Sequence, residues 1–263
     1  MEFLESLYLD SIITNGIPKS FWNLTHLQIL TLCDNYQLNA SIAELFQKLL
    51  KDAEKSLQIL DLSWSQFTGE LPADIITRFT SLRELRANNN QLNGSNFRLP
   101  ASLEYLDLAL YLSGNQITGQ IPNLSHALSL RELYLSDNQI TGLIPDLSHT
   151  LNLRVLDLSE NELHGGLPET IGKLSKLNKL YASSNLLEGV VTEAHFSNLT
   201  HLQFLDLSFN VALSFNMNSN WVPPFQLYEI LLVNCKLGPQ FPKWLRTQNK
   251  MSILDILLVI FLM

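Results

Sequence analysis

The chain has 263 residues, 46% of them hydrophobic and only 16% charged, with a formal net charge of −8. That balance argues against a nucleic-acid partner, because phosphate binding needs clustered Lys and Arg. Two cysteines, Cys33 and Cys235, are too few for a disulfide scaffold, and no CxxC or Cys/His spacing suggests a metal. No cofactor is expected.

Met1 is followed by Glu2 and Glu5, without a basic segment and an apolar segment, so no signal peptide is read. The pattern LxxLxL then starts at Leu4, Leu27, Leu57, Leu82, Leu103, Leu130, Leu153, Leu177, Leu202 and Leu227, with a broken eleventh copy from Met251. The seven steps between Leu57 and Leu227 average about 24 residues, the period of a stacked coil. The connection after Asn39 is longer. Ser41 to Glu44 there reads as a capping box, and Ile42, Leu45, Phe46, Leu49, Leu50 and Ala53 recur at helical spacing, predicting an amphipathic helix over 43–55. Around 107–112 the frame has four residues too many: Leu103, Leu106 and Leu108 fit one register, Leu110, Leu112 and Asn115 the next, and one of them must bulge. The chain closes on an apolar run, Ile253 to Met263, interrupted by Asp255. As a helix it would reach about 16 Å, short of a hydrocarbon core of about 30 Å. No membrane span is expected in this chain.

Each repeated position has a physical reason. Leucines one, four and six point inward from a short strand and stack on their counterparts, since one coil alone cannot bury them. Asparagine at position nine (Asn35, Asn90, Asn115, Asn138, Asn161, Asn185, Asn210) can satisfy main-chain groups of adjacent coils through its amide. Ser65 and Cys235 replace it twice, which assigns Cys235 a structural place. Glycine at position thirteen (Gly69, Gly94, Gly119, Gly142, Gly165, Gly189) permits a bend that a Cβ would obstruct. The Ile/Leu-Pro pairs that follow, such as Ile144-Pro145 and Leu167-Pro168, block further ladder bonding.

The string LxxLxLxxNxLxGxIP resembles the plant extracellular leucine-rich repeat. The stretch WVPPFQLYEILLVNCKLGPQFPKWLRTQ (221–248) is similar to the matching segment of plant receptor-like proteins, kinase-less receptors of defence and development. The resemblance implies an α/β leucine-rich-repeat solenoid: a curved right-handed superhelix with a parallel β-sheet on the concave face and 3-10, short helical and irregular segments on the convex face. A single domain over 1–256 is expected, with 257–263 as an apolar tail. The family's terminal caps are missing, which reads as an ectodomain truncated at both ends. The implied function is non-catalytic recognition of a protein or peptide ligand, with a membrane receptor kinase as co-receptor. A secreted inhibitor of cell-wall hydrolases, an ectodomain piece of a receptor kinase and a non-functional remnant stay open as alternatives.

Variable strand positions should face outward on the concave side, because side chains alternate across a strand. Positions three, five and eight are these outward positions, and five and eight supply the candidate partner-binding residues: Trp64, Arg86, Tyr134, Asp157, Tyr181 and Phe209. Aromatic and arginine side chains are the types that anchor interfaces, and the surrounding acids favour a basic partner. The Asp of the LDLS string recurs for reasons internal to the repeat, so its column is read first as scaffold. Five sequons, at Asn23, Asn39, Asn93, Asn123 and Asn198, lie outside the LxxLxL strands and predict N-glycosylation and an extracellular lineage, at the plasma-membrane face or in the apoplast. His26 and His201 precede first leucines, and His126 and His149 share another phase, so these histidines are scaffold. No nucleotide loop, kinase set, GxSxG or HExxH is present, and no catalytic residue is assigned.

Overall fold

The computed structural model describes residues 3–13, 16–17, 24–95, 97–109, 115–237 and 241–257. Two compact units divide the chain, Met1–Pro122 with His126–Gln139, and Asn123–Ser125 with Ile140–Met263.

In the first unit six short strands form one parallel sheet in chain order: β1 (Ser6–Tyr8), β2 (Ile29–Thr31), β3 (Ile59–Asp61), β4 (Glu84–Arg86), β5 (Tyr105–Asp107) and β6 (Glu132–Tyr134). Equivalent repeat positions pair, Ile59 with Glu84, Glu84 with Tyr105 and Tyr105 with Glu132. The leucines of one copy show why the coils must stack. Leu57, Leu60 and Leu62 are wholly buried, while Ile59 and Asp61 between them keep partial exposure. Burying a leucine contributes about 2 kcal/mol, which a lone coil cannot collect.

The second unit repeats the plan with β7 (Val155–Asp157), β8 (Lys179–Tyr181), β9 (Phe204–Asp206), β10 (Glu229–Leu231) and β11 (Ile253–Asp255). The broken copy from Met251 therefore contributes a paired strand, Ile253 lying opposite Glu229. Residues 258–263, most of the apolar tail, lie outside the described residues.

The expected asparagine ladder is present. The Asn90 side-chain oxygen accepts from the Ser65 and Phe67 N–H groups, and its amide nitrogen donates to the carbonyls of Leu62, Ala87 and Asn88. Asn210 does the same, accepting from Leu187 N–H and donating to Ala182, Leu207 and Ser208. Cys235 keeps one rung: its thiol is buried and donates to the Leu207 carbonyl at 3.2 Å. Burial pushes that thiol up to about 12, consistent with a structural place. All six glycines of position thirteen have positive φ, and a Cβ on Gly119 would fall 2.4 Å from the Ser95 carbonyl oxygen.

Several features differ from the sequence reading. The helix, α1, runs Ile42–Asp52 and ends three residues earlier than predicted, with Ala53 as its C-cap. It begins at Ile42, one residue before the predicted start, with the Ser41 side chain accepting from Glu44 N–H, and Ile42, Leu45, Phe46 and Leu49 are buried. Phe46 packs edge-on against Phe79 at 5.5 Å. The frame break puts no bulge in the strand. Leu103, Leu106 and Leu108 are buried and β5 pairs without interruption on both sides, so the first frame prevails. Residues 110–114, with Leu110 and Leu112, lie outside the described residues, and the ladder resumes at Asn115, which donates to the Leu108 and Ala87 carbonyls.

Position thirteen also lies in or beside further parallel strands that the sequence reading lacked. Thr68–Glu70, Gln91–Gly94 and Gln116–Ile117 form one such sheet in the first unit; Thr141–Gly142, Glu162–Gly165, Leu186–Val191 and Ala212–Phe215 form another in the second. Thr68–Glu70 and Glu162–Gly165 stop just before Leu71-Pro72 and Leu167-Pro168, where proline cannot donate to a ladder.

Position eight requires the largest correction. The repeat pattern places it outward on the strand, but in the structure it lies beyond the strand in a left-handed turn. Asp34, Trp64, Asn89, Asp137, Glu160, Ser184, Phe209 and Asn234 all have φ between 52° and 60°. For a residue with a Cβ that conformation costs about 1–2 kcal/mol. A coil-to-coil hydrogen bond offsets part of it: Trp64 N–H donates to Asn88 O, Ser184 to Ser208 O and Phe209 to Val233 O. Neighbouring coils thus hold the turn whatever side chain it carries.

Candidate functional site

The outward side chains of the strands sit at positions three and five. Position five divides by residue type. Asp61, Asp107, Asp157, Asp206 and Asp255 each use Oδ1 to accept the N–H two residues on, at 2.9–3.1 Å, in Ser63, Ala109, Ser159, Ser208 and Leu257. This local bond caps the strand end. It gives the LDLS aspartates the scaffold duty read from the sequence, Asp157 included.

Arg86, Tyr134 and Tyr181 occupy position five where aspartate does not. In the first unit Arg86 and Tyr134 come together through a residue the sequence reading overlooked. Tyr105, at position three of β5, packs against Tyr134 with ring centroids 5.6 Å apart and carries the Arg86 guanidinium 4.8 Å from its own centroid. Arg86 also pairs with Glu84 at 2.8 Å, and the Tyr134 hydroxyl donates to Glu132 at 2.9 Å. Asp107 lies among them, 7% exposed, with Oδ2 3.5 Å from the Tyr105 hydroxyl. Burial pushes its carboxyl up to about 6, against the opposing pull of the Ala109 N–H, Tyr105 and Arg86. Burial, with Asp107 beside it, lifts the Tyr105 phenol to about 12; burial and the Glu132 bond raise Tyr134 further. Tyr105 was legible: Leu103 and Leu106 fix it at position three. It was lost where the frame breaks.

Trp64 sits in the left-handed turn after β3, partly buried, its ring edge-on to Tyr36 at 6.5 Å. Tyr36 is 55% exposed and its hydroxyl donates to Asp34 at 2.9 Å.

In the second unit Tyr181 pairs in register with Asp157 and with Asp206, and burial, followed by Glu229, pushes its phenol up to about 12. Beside it Lys179 lies 5.2 Å from the Phe204 ring centroid, and Phe204 packs on Tyr228 at 6.2 Å. Phe209, half exposed in its turn, is off this strand face.

Four sequon asparagines, Asn39, Asn93, Asn123 and Asn198, are exposed; Asn23 lies outside the described residues. Asn93 belongs to the short strand Gln91–Gly94, and Asn198 donates to the Gly172 carbonyl at 3.1 Å, a bond that one amide N–H sustains. His201 bonds the Ser175 carbonyl. His195, buried and unassigned from sequence, caps the turn Glu193–Phe196 through Thr192 and reaches Leu167 O at 3.0 Å. Among the described residues no helix is long and apolar enough to cross a membrane, and no cluster of His, Cys, Asp and Glu could hold a metal ion.

The leucine rich repeat family models match residues 56–77, 102–128, 129–187 and 152–211. Receptor-like protein EIX2 of Solanum lycopersicum is 47% identical over 241 residues, 92% of this chain and 23% of the relative. Receptor-like protein EIX1 of the same plant is 56% identical over 70 residues, 27% of this chain and 7% of the relative. The chain thus spans under a quarter of the length of these relatives. Among solved structures, the leucine-rich-repeat ectodomain of the Arabidopsis thaliana membrane receptor kinase GASSHO1/SCHENGEN3, in complex with CASPARIAN STRIP INTEGRITY FACTOR 2, matches with TM-score 0.81 and 25% identity, covering 96% of this chain and 32% of that one. The Arabidopsis receptor kinase HAESA, in complex with the peptide hormone IDA and the co-receptor SERK1, matches with TM-score 0.79 and 28% identity, covering 96% and 41%. The repeat pattern, the stacked parallel coils and these relatives lead to one assignment: the chain belongs to the leucine-rich-repeat family and, within it, to the plant receptor-like proteins.

Proposed function

We propose that this chain is a non-catalytic recognition module whose strand face binds a protein or peptide ligand, as part of an extracellular receptor in defence or developmental signalling. The observation that carries the reading is the cluster of Arg86, Tyr105 and Tyr134 on the first unit's strand face, with Trp64 in the turn after β3 and Tyr36 in the turn after β2. None of these side chains belongs to the asparagine ladder or to the buried leucine core, and aromatic and arginine groups are the usual anchors of an interface. Tyr181 is the second unit's candidate contact on the strand face; Asp157 serves the strand end there, and Phe209, exposed at the turn, would touch a ligand only beyond that face. The solved neighbour bound to a peptide hormone and a co-receptor supports a ligand of this class and a membrane receptor kinase as second partner. The exposed sequons support glycosylation at Asn39, Asn93, Asn123 and Asn198, and Asn23 joins them by sequence.

The test is secretion of the chain behind an added leader, followed by crosslinking capture of extracellular binders with wild type and with Tyr134→Ala and Trp64→Ala. The reading expects loss of one specific binder at unchanged Tm. Equal capture by all three chains would overturn it.

A further inference from the structure

The first unit's strand face is out of electrostatic balance. Asp61, Glu84, Asp107 and Glu132 supply four carboxylates on neighbouring strands, and Arg86 is the cation set among them. Glu84 is taken by Arg86, and Glu132 holds the Tyr134 hydroxyl. Asp107 is the most enclosed, and among the described residues no lysine or arginine forms an ion pair with it. Its Oδ1 is occupied by the Ala109 N–H, while Oδ2 has only the long approach of the Tyr105 hydroxyl. Two tyrosine rings adjoin it, tilted 46° to each other, and one already accepts a guanidinium, that of Arg86. A buried carboxylate with a cation nearby but no ion pair of its own, beside aromatic faces that favour a cation, is a place where a planar cation gains both an ion pair and ring contact.

We infer that Asp107, Tyr105 and Tyr134 form a subsite for a guanidinium group of the ligand, an arginine side chain, seated only when the Asp107 carboxylate is ionised. The inference rests on the ligand-binding reading of this face and deepens it. The groups facing Asp107 are Arg86 and Glu84 from β4, Asp61 from β3, Tyr105 from its own strand, and Glu132 and Tyr134 from β6. None of the six histidines occupies position three or five of a strand, so a proton taken up near pH 6 on this face belongs to Asp107. Seating the cation favours the ionised carboxylate, and binding near pH 6 therefore releases a proton.

Triarginine amide serves as probe, with tricitrulline amide as the uncharged control of the same shape, each titrated calorimetrically into the full glycosylated chain at about pH 7 and about pH 5. A carboxyl titrating near 6 falls from about nine-tenths to about one-tenth ionised over that range, so triarginine should bind about tenfold more weakly at the lower pH. Tricitrulline should not bind measurably at either. Asp107→Asn retains an oxygen for the Ala109 N–H, so the chain folds; it should bind at both pH values with the weak affinity wild type shows at pH 5. Equal wild-type affinities at the two pH values, an unchanged profile in Asp107→Asn, or no triarginine binding would each overturn the proposal. Tyr134→Ala separates the two levels. If it abolishes binding while the profile is flat, the face still binds ligand and only the Asp107 role fails. If neither substitution alters triarginine binding, the face itself is not the site.

Discussion

The two units of this chain use the same coil and present different faces. Both bury the same leucines, repeat the same asparagine ladder and end their strands with the same aspartate bond, as Asn90 and Asn210 or Asp61 and Asp206 show. On the strand face they diverge. The first unit interlocks Arg86, Tyr105, Tyr134 and a buried Asp107; the second carries Tyr181 in register between Asp157 and Asp206, with Lys179 against Phe204. The coil's stability depends on the inward positions, so the outward ones are free to vary. A difference in face between two equivalent units is therefore a difference in what each can bind.

The shared part of that comparison predicts the largest effect. Asn90→Ala removes the bonds of two N–H groups and of the Leu62 carbonyl, while the Ala87 and Asn88 carbonyls keep Asn115 and Trp64 as donors; Asn185→Ala is closely similar, so each should cost about 3 kcal/mol in denaturant unfolding. A loss confined to one unit would break the equivalence.

The next effect separates the units by pH. Because burial holds the Asp107 carboxyl at about 6 in the fold, above the value of about 4 in an unfolded chain, ionisation is penalised natively. Its contribution is fully present below about pH 4 and is lost as pH rises through 6. Asp107→Asn should flatten that slope and raise stability near pH 7 by about 1–3 kcal/mol, read from unfolding midpoints across the range.

Binding comes third. Tyr134→Ala should weaken ligand binding about tenfold at unchanged Tm, and Tyr181→Ala should do less if the first unit carries the anchor. An equal loss at Tyr181 would place the anchor on both faces. The smallest effect concerns the turn. Glu160 has φ of 54° and is exposed, so Glu160→Asn, better suited to that conformation, should stabilise by about 0.5 kcal/mol.

Most of the backbone plan was readable because a repeat states its rules many times. Leu57, Leu60 and Leu62 announce their burial by period, Asn90 its ladder by phase, and Ser41 the start of α1 by its capping pattern. The site was less legible. Tyr105 stands in the coil whose frame breaks, and its pairing with Tyr134 follows from strand register rather than from spacing along the chain. Position eight was misread because nothing local in Trp64 or Phe209 favours a left-handed turn; hydrogen bonds from the next coil impose it.

The amino-acid sequence by itself determined a stack of leucine-rich coils, because hydrophobic period, asparagine phase and glycine position are local requirements met in every copy. Tertiary structure alone decided which outward side chains meet. Arg86, Tyr105, Asp107 and Tyr134 become neighbours only once strands about 20 to 30 residues apart in sequence are laid side by side at about 4.8 Å, and the burial that shifts Asp107 is created by those neighbours.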